Sequence, residues 1–335
     1  MFKKWMALAV VAMLPVMALP NRAAAQASSP GTASLPIPVV TSFSILGDLV
    51  SEVGGDRVAV TTLVGRDSDA HVFQPAPKDV KTVAAARVLV INGLGFDGWM
   101  DRLASTGGAG AGRIVVEASK GLPTMPERGG APDRRAQGAA TGLAPGHDHA
   151  RPGHGHDHGS IDPHAWQDPR NVVIYVRNIA AGLTRADPAG ADGYAQRATA
   201  YTARLMELDG WITQRIGQVP AGKRKVITSH DAFGYFAARY GVTMVAVAGV
   251  STNADAGARG MAEIIRLMRR EKVKALFLEN IANPLLVEQI ARETGAQPGG
   301  RLYSDALSAS DGPAPTYLAM MRHNVDMLVA GMQRN

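Results

Sequence analysis

Residues 37–41 of the chain read IPVVT, and residues 44–53 read SILGDLVSEV, with apolar side chains every three or four positions. The first run predicts a buried strand and the second a helix. The same order returns with RVAVTTL at 57–63, a helical pattern over 77–86 and the apolar run VLVIN at 88–92. Alternation of this kind is typical of parallel sheets whose crossover helices cover the faces, so it predicts an α/β fold.

Two long helical patterns, over 169–183 and 187–216, separate these strands from a second group that begins at 226–229. We therefore expect an α/β protein of two lobes, each a small mostly parallel sheet flanked by helices, joined by one long connecting helix. The predicted boundaries are an N-terminal lobe at 36–186, the connecting helix at 187–218 and a C-terminal lobe at 219–335.

The N-terminus has the three parts of a secretory signal. Residues 1–25 begin with two lysines, continue as an apolar stretch and end in three alanines, which predicts a signal peptide and export to a bacterial periplasm. A single membrane anchor is the alternative, but a span needs about 20 apolar residues and this stretch is shorter. Residues 26–35 are rich in Ser, Pro and Gly and are predicted to form a flexible leader.

Composition excludes several classes of function. The chain has no cysteine, so disulfides, thiolate zinc sites and iron–sulfur clusters are excluded, and we expect no lipid anchor. It has 35 Lys+Arg and 29 Asp+Glu, and loss of the three basic residues of the signal would leave 32 − 29 = +3. So small a charge, without Lys/Arg runs, does not indicate a nucleic-acid partner.

A stretch rich in Gly, Pro, Ala and Arg interrupts the α/β pattern at 122–160, and its second half contains GHDHARPGHGHDHG. We expect a disordered insert in the N-terminal lobe. Closely spaced imidazoles collect zinc or copper ions without a fixed fold, whereas the alternative is a solvated low-complexity loop. The predicted weak, mobile ligands are His147, His149, His154, His156 and His158.

Three other histidines occupy positions that a binding site would use. His71 and His230 each follow a predicted strand, and His164 stands at the entrance to a helix. Ligands of open α/β sheets bind beyond the carboxyl ends of the strands, so together these residues predict a metal site. Asp305 also follows a short strand and offers an oxygen ligand, and Glu279 competes with it for that role.

A nucleotide site is an alternative interpretation of one glycine-rich stretch. Residues 93–98 read GLGFDG and lie between a strand and a helix, with Glu117 further along the chain, which matches the dinucleotide fingerprint in form. However, Asp97 would place a carboxylate where the pyrophosphate needs a positive helix start. The glycines are therefore predicted to form a tight turn.

Five longer strings resemble a known family, the cluster A-I, or zinc/manganese-type, solute-binding proteins of bacterial ABC importers. They are GRDSDAHVFQP (65–75), DPHAWQDPRN (162–171), ITSHDAFGYFAARYG (227–241), FLENIANPLLVEQIARETGA (277–296) and LYSDAL (302–307). The resemblance implies two lobes with a rigid connecting helix and an ion bound in the cleft between them. It implies that His71 and His164 come from one lobe, and His230 and Asp305 from the other.

The resemblance also implies a zinc carrier rather than an enzyme, acting as a monomer with an ABC permease. The chain lacks the cysteine pair of well-known zinc members and has Gln74 where a glutamate often stands. Its STNADAG segment at 251–257 is similar to members that receive zinc from a periplasmic metallochaperone. Asp162 and Asp231 are the expected hydrogen-bond partners of the ligating imidazoles.

Two other functions are compatible with these residues. A manganese or iron carrier of the same fold is one, although three nitrogen ligands and one oxygen favour zinc. A periplasmic zinc metallohydrolase is the other, with His71, His164 and His230 on the ion and Asp305 or Glu279 as general base.

Overall fold

The structure is a computed structural model that describes residue 1 and residues 35–106, 112–127, 161–252 and 257–335. Leu35–Asn335 forms a compact unit. Residues 2–34, which include nearly all of the predicted signal peptide and leader, lie outside the described residues. In the part of the chain that is described, no helix is both long enough and apolar enough to cross a membrane.

Four parallel strands form the first sheet, in the order β2-β1-β3-β4. They are β1 (Ile37–Phe43), β2 (Val58–Val64), β3 (Val88–Ile91) and β4 (Ile114–Glu117). The central strands β1 and β3 are almost wholly buried, because helices cover the sheet. The helices of this part are α1 (Ser44–Gly54), α2 (Pro77–Ala85), α3 (Gly98–Thr106) and α4 (Pro169–Ala186).

The second group of strands has the same connectivity as the first. Its strands are β5 (Lys225–Thr228), β6 (Thr243–Ala246), β7 (Leu278–Glu279) and β8 (Arg301–Leu302). β5 pairs with β6 and β7 pairs with β8, both in parallel. A parallel bridge between Ile227 and Leu276 joins the two pairs. The resulting order β6-β5-β7-β8 repeats the order of the first sheet.

The helices of this second part are α6 (Gly234–Tyr240), α7 (Gly257–Glu271), α8 (Leu285–Thr294) and α9 (Tyr317–Gln333). Sequence periodicity predicts α7, α8 and α9 but misses α6. Only seven residues long, α6 has no helical period to detect, and it ends at Gly241, which has φ of +66°.

The predicted long helix is α5 (Ala191–Gly217), with 27 residues. It begins four residues after the predicted start at 187, because Pro188–Gly190 form a 3₁₀ turn first. It packs against α4, α1 and α9, so it contacts elements from both ends of the chain. The α/β fold class with a long helix between two groups of strands is confirmed, whereas the lobe boundaries stay predictions.

The predicted insert at 122–160 is described only from 122 to 127. In that piece Leu122 is buried, Pro126 forms a bridge with Ile161, and Met125 accepts a backbone hydrogen bond from Asp162. The ordered chain therefore extends further than the predicted start of the insert. The five closely spaced histidines lie outside the described residues.

Candidate metal centre

Four side chains that the sequence places far apart meet beyond the strand ends. His71 lies on the loop after β2, His230 follows β5, and Asp305 follows β8. His164 stands immediately before the 3₁₀ turn that leads into α4. Each offers one ligand atom, and these atoms all lie within 4.8 Å of one another. The structure thus brings together all four residues predicted for the cleft site.

The four side chains approach one another through the same atoms. Oδ2 of Asp305 lies 3.1 Å from Nε2 of His71, 3.0 Å from Nε2 of His230 and 3.7 Å from Nε2 of His164. The Nε2 atoms of His71 and His164 are 3.3 Å apart. His164, His230 and Asp305 are at most 1% exposed. The pocket is therefore closed to bulk water except beside the side chain of His71, which is 7% exposed.

The orientation of His164 is set by Asp162. Oδ1 of Asp162 accepts from the backbone N–H of His164 at 2.9 Å and lies 2.8 Å from Nδ1 of the same residue. With Nδ1 held by a carboxylate, Nε2 is the ring nitrogen left to face the cluster. The sequence-based expectation for Asp162 is confirmed.

The corresponding partner of His230 is Glu279 rather than Asp231. Oε1 of Glu279 accepts from the backbone N–H of His230 at 2.9 Å, and Oε2 lies 2.6 Å from Nδ1, although not aligned as a hydrogen bond. Glu279 is 3% exposed. Glu279 lies beside Nδ1 of His230, whereas Asp305 lies beside Nε2 on the opposite side of the ring. His230 and Glu279 are 49 residues apart, so no local sequence pattern predicts their contact. They meet because β7 runs beside β5.

The loop of His71 is fastened by its neighbours. Oδ1 of Asp69 accepts from the backbone N–H of His71 at 2.8 Å, and the indole of Trp99 donates to the carbonyl of Ala70 at 3.1 Å. The ring of Phe96 meets that of His71 edge to face, with centroids 4.8 Å apart. Sequence analysis missed Phe96, which forms an apolar wall against the imidazole.

Asp305 is positioned by contacts of the preceding residue, Ser304, and one of its two carboxylate oxygens has no hydrogen-bond donor among the described residues. The carbonyl of Ser304 accepts from the side chains of Trp166 and Gln167 at 2.9 and 2.8 Å. Oδ1 of Asp305 is buried, and among the described residues it has no hydrogen-bond donor. A buried carboxylate oxygen without a donor is costly unless a cation or a water compensates it.

The charges of the cluster shift the pKa values of its members in opposite directions. Burial alone would raise the pKa of Asp305, but the imidazoles of His164 and His230 hold it well below its usual range. Burial alone would lower the pKa of His230, but the carboxylates of Glu279 and Asp305 raise it well above its usual range. The site therefore favours an ionised carboxylate and positive charge beside it.

The glycine-rich turn after β3 binds a side chain of the protein itself. Oδ2 and Oδ1 of Asp97 accept from the backbone N–H groups of Asn92 and Gly93 at 2.6 and 3.1 Å. Gly93 has φ of +83°, and a Cβ there would lie 2.3 Å from a carboxylate oxygen of Glu117. A carboxylate of the protein thus binds two backbone amides at the beginning of this turn, which supports the tight-turn interpretation.

Residues 39–331 match the family described as zinc-uptake complex component A, periplasmic. The chain belongs to this family. Its members are the metal-binding solute-binding proteins of ABC importers, so the resemblance drawn from the five sequence strings is confirmed. The match includes all four residues of the cluster.

Relatives within this family are named for different ions. The manganese-binding lipoprotein MntA of Halalkalibacterium halodurans is 29% identical over 296 residues, 88% of each chain. The iron-binding protein YfeA of Yersinia pestis is 28% identical over 312 residues, 93% of this chain and 91% of the relative. The solved periplasmic zinc-binding protein TroA from Treponema pallidum superposes with a TM-score of 0.75 at 27% identity, covering 89% of this chain and 99% of that chain. The names of these three relatives thus specify three different metals, manganese, iron and zinc.

Proposed function

We propose that His71, His164, His230 and Asp305 bind one divalent zinc ion, which the protein captures outside the cytoplasm and delivers to an ABC importer. The observation that supports this most strongly is the convergence of the four ligand atoms within 4.8 Å. Three imidazole nitrogens and one carboxylate oxygen are a donor set typical of zinc in proteins.

The buried charges around the cluster support a cation as the cargo. Asp162, Glu279 and Asp305 are each at most 3% exposed. Three carboxylates so near one another repel in a medium of low dielectric constant. A divalent ion would add two positive charges beside these carboxylates and would give the free Oδ1 of Asp305 a partner.

A manganese or iron carrier is the second candidate. The free Oδ1 favours it, because a carboxylate that binds through both oxygens would supply a fifth ligand and a larger oxygen share, which manganese prefers. The manganese- and iron-binding names of two relatives are consistent with it. The three imidazole ligands, and the apolar ring of Phe96 beside the imidazole of His71, argue against a manganese or iron carrier.

A metallohydrolase is disfavoured by the positions of the two carboxylates that could serve as general base. Oδ2 of Asp305 faces the three imidazoles, and Glu279 is engaged by His230 on the far side of the ring. Neither stands free beside an open coordination position, as hydrolysis would require. We therefore infer that the protein carries its ion and is not an enzyme.

Export and delivery complete the proposal. The N-terminal signal pattern and the periplasmic family description both support a periplasmic location. An ABC permease is the partner that receives the ion. Transfer into the site from the histidine-rich loop, or from a donor protein, stays a prediction because that loop lies outside the described residues.

The metal preference is tested by stripping the protein of ions, refolding it and exposing it to equimolar zinc and manganese. We expect one tightly held zinc per chain, and weaker ions on the loop. Deletion of Gly146–Gly159 should remove the weaker ions and leave the tight equivalent, because that segment carries no residue of the cluster. Elemental analysis after gel filtration counts both.

If the protein retains manganese in preference to zinc, the result would contradict the zinc assignment and favour the manganese or iron carrier. Loss of the tight equivalent on deletion of the loop would contradict the assignment of the four residues. Retention of neither metal by the intact, folded protein would contradict the carrier function itself.

The distinct positions of the two carboxylates predict distinct effects on binding. Glu279→Gln keeps an acceptor for the backbone N–H of His230 but removes the charge beside Nδ1, and should weaken zinc about ten- to a hundredfold. Asp305→Ala should instead change the preference between zinc and manganese, because it removes the hard oxygen ligand. Titration against a competing chelator with each metal measures both. A changed preference in Glu279→Gln and an unchanged one in Asp305→Ala would show that the wrong oxygen was named.

A further inference from the structure

The end of β7 contacts three of the four segments that carry the cluster. Its last residue, Glu279, holds His230 as described above. The next residue, Asn280, donates from Nδ2 to Oδ1 of Asp67 at 3.0 Å and to the carbonyl of Ala306 at 3.3 Å. Asp67 lies on the loop of His71, and Ala306 directly follows Asp305. Asn280 thus bridges two segments that meet only in the folded protein.

Asp67 is the other half of this bridge and is held in an unusual conformation. Its φ is +51°, in the left-handed region that residues with a Cβ rarely adopt, although aspartate tolerates it better than most. Its backbone N–H donates to the carbonyl of Leu307 at 2.9 Å, and Oδ2 accepts from the N–H of Ala309 at 3.0 Å. Contacts with Asn280 and the segment after Asp305 therefore compensate the cost of this backbone conformation.

These contacts determine how close His71 stays to Asp305. The two ligand atoms are 3.1 Å apart, and His71 is the least buried of the three histidines. It is therefore the residue through which solvent or a competing ligand would first reach a bound ion. For its loop to retreat from the segment that follows Asp305, the bonds from Asp67 to Asn280, Leu307 and Ala309 must break. The bonds from Arg66 to the carbonyls of Ser308 and Pro315 must break with them.

We propose that the hydrogen bond between Asn280 and Asp67 is a positioning contact that holds the His71 loop against the segment of Asp305 and slows release of the bound ion. The inference rests on the proposed function and adds to it the contact that controls how long the ion stays. Neither residue is a ligand in this account, since both act through His71.

The test compares three variants with the intact protein. Asn280→Ala removes the donor, and Asn280→Asp places two carboxylates face to face. Asn280→Asp combined with Asp67→Asn exchanges donor and acceptor while leaving the total charge unchanged. Each protein is loaded with zinc, and release to an excess of chelator is followed by stopped flow.

We expect Asn280→Ala to release zinc about tenfold faster, the effect of losing hydrogen bonds worth about 1.4 kcal/mol in total. Asn280→Asp should also release faster, even though its added negative charge attracts the ion. The exchanged pair should release zinc more slowly than Asn280→Asp alone, because the hydrogen bond between residues 280 and 67 forms again with reversed polarity. It should not return fully to the rate of the intact protein, since an aspartate at 280 cannot donate to the carbonyl of Ala306.

Asn283→Ala is the matched control. It removes an asparagine from the same connection, where its side chain accepts from the N–H of Leu285, and should leave release unchanged. Thermal unfolding of the ion-free proteins separates a general loss of stability from a local effect, and the visible spectrum of bound Co²⁺ reports whether the ligand set is kept.

Release from Asn280→Ala at the rate of the intact protein would overturn the inference. So would an exchanged pair that releases as fast as Asn280→Asp alone. If the intact protein holds no ion, the proposed function fails instead, and the two failures are therefore distinguishable.

Discussion

His164→Ala is expected to abolish tight zinc binding while leaving the protein folded. Structural zinc sites bind with about 10–16 kcal/mol shared among four ligands, so losing one ligand should weaken binding about a hundred- to a thousandfold. His164 is fully buried and its Nδ1 is held by Asp162, so its Nε2 is positioned at the cluster before an ion binds. Competition with a chelator of known affinity measures the loss, and His71→Ala and His230→Ala should behave alike.

His323→Ala is the matched control for these variants. His323 lies on α9, and its Nε2 is 3.0 Å from the carbonyl of Arg301, so the substitution removes an imidazole and a polar contact outside the cluster. Zinc affinity should not change. An affinity of His164→Ala within a fewfold of the intact protein, with its ion-free melting temperature preserved, would rule out His164 as a ligand.

The second large effect is expected from Asp209, which lies on α5 and contacts two other helices, α4 and α6. Its carboxylate accepts from Arg170 on α4 at 3.0 Å and from Arg239 on α6 at 3.0 and 2.7 Å. The hydroxyl of Tyr240 also donates to it, at 3.0 Å. Asp209→Leu leaves these donors without their acceptor and should lower the free energy of unfolding by about 3 kcal/mol, the low end for a buried pair because both arginines reach solvent.

The stabilisation from Asp209 should depend on pH. Burial alone would raise the pKa of this carboxyl, but hydrogen bonds from Arg239, Arg170 and Tyr240 lower it below its ordinary value. A carboxyl whose pKa is lower in the folded state stabilises the fold above its unfolded pKa of about 3.9. That contribution is lost as the pH falls through the folded pKa. The difference between the intact protein and Asp209→Asn should therefore shrink from pH 7 to pH 3.

Urea unfolding of the ion-free proteins measures this difference at each pH. Asp326→Asn is the control, because Asp326 pairs with Arg215 but is 48% exposed, and a surface pair contributes about 0–1 kcal/mol. Equal losses of stability in Asp209→Asn and Asp326→Asn would show that the contact among the three helices contributes no more than a surface pair.

The sequence alone determined the fold class and the four residues of the candidate site. Period-two and period-3.6 patterns are local, so strands such as β1 and helices such as α1 follow from a few neighbouring side chains. His71, His230 and Asp305 could be named because each follows a predicted strand, and parallel strands end at one edge of their sheet. His164 was grouped with the other two histidines because it stands at the entrance to a helix, and the family resemblance then implied Asp305 rather than Glu279 as the oxygen ligand.

The roles of the other polar residues depend on contacts between segments that are far apart in the sequence. Glu279 competed with Asp305 as a ligand in the sequence, but the pairing beside β5 places it behind His230 instead. The contacts of Asp209 and the bridge from Asn280 to Asp67 join residues up to 213 positions apart. The physical reason is that a side chain's hydrogen-bond partners depend on which segments the packed core brings together. Local periodicity carries no information about partners so distant in the chain.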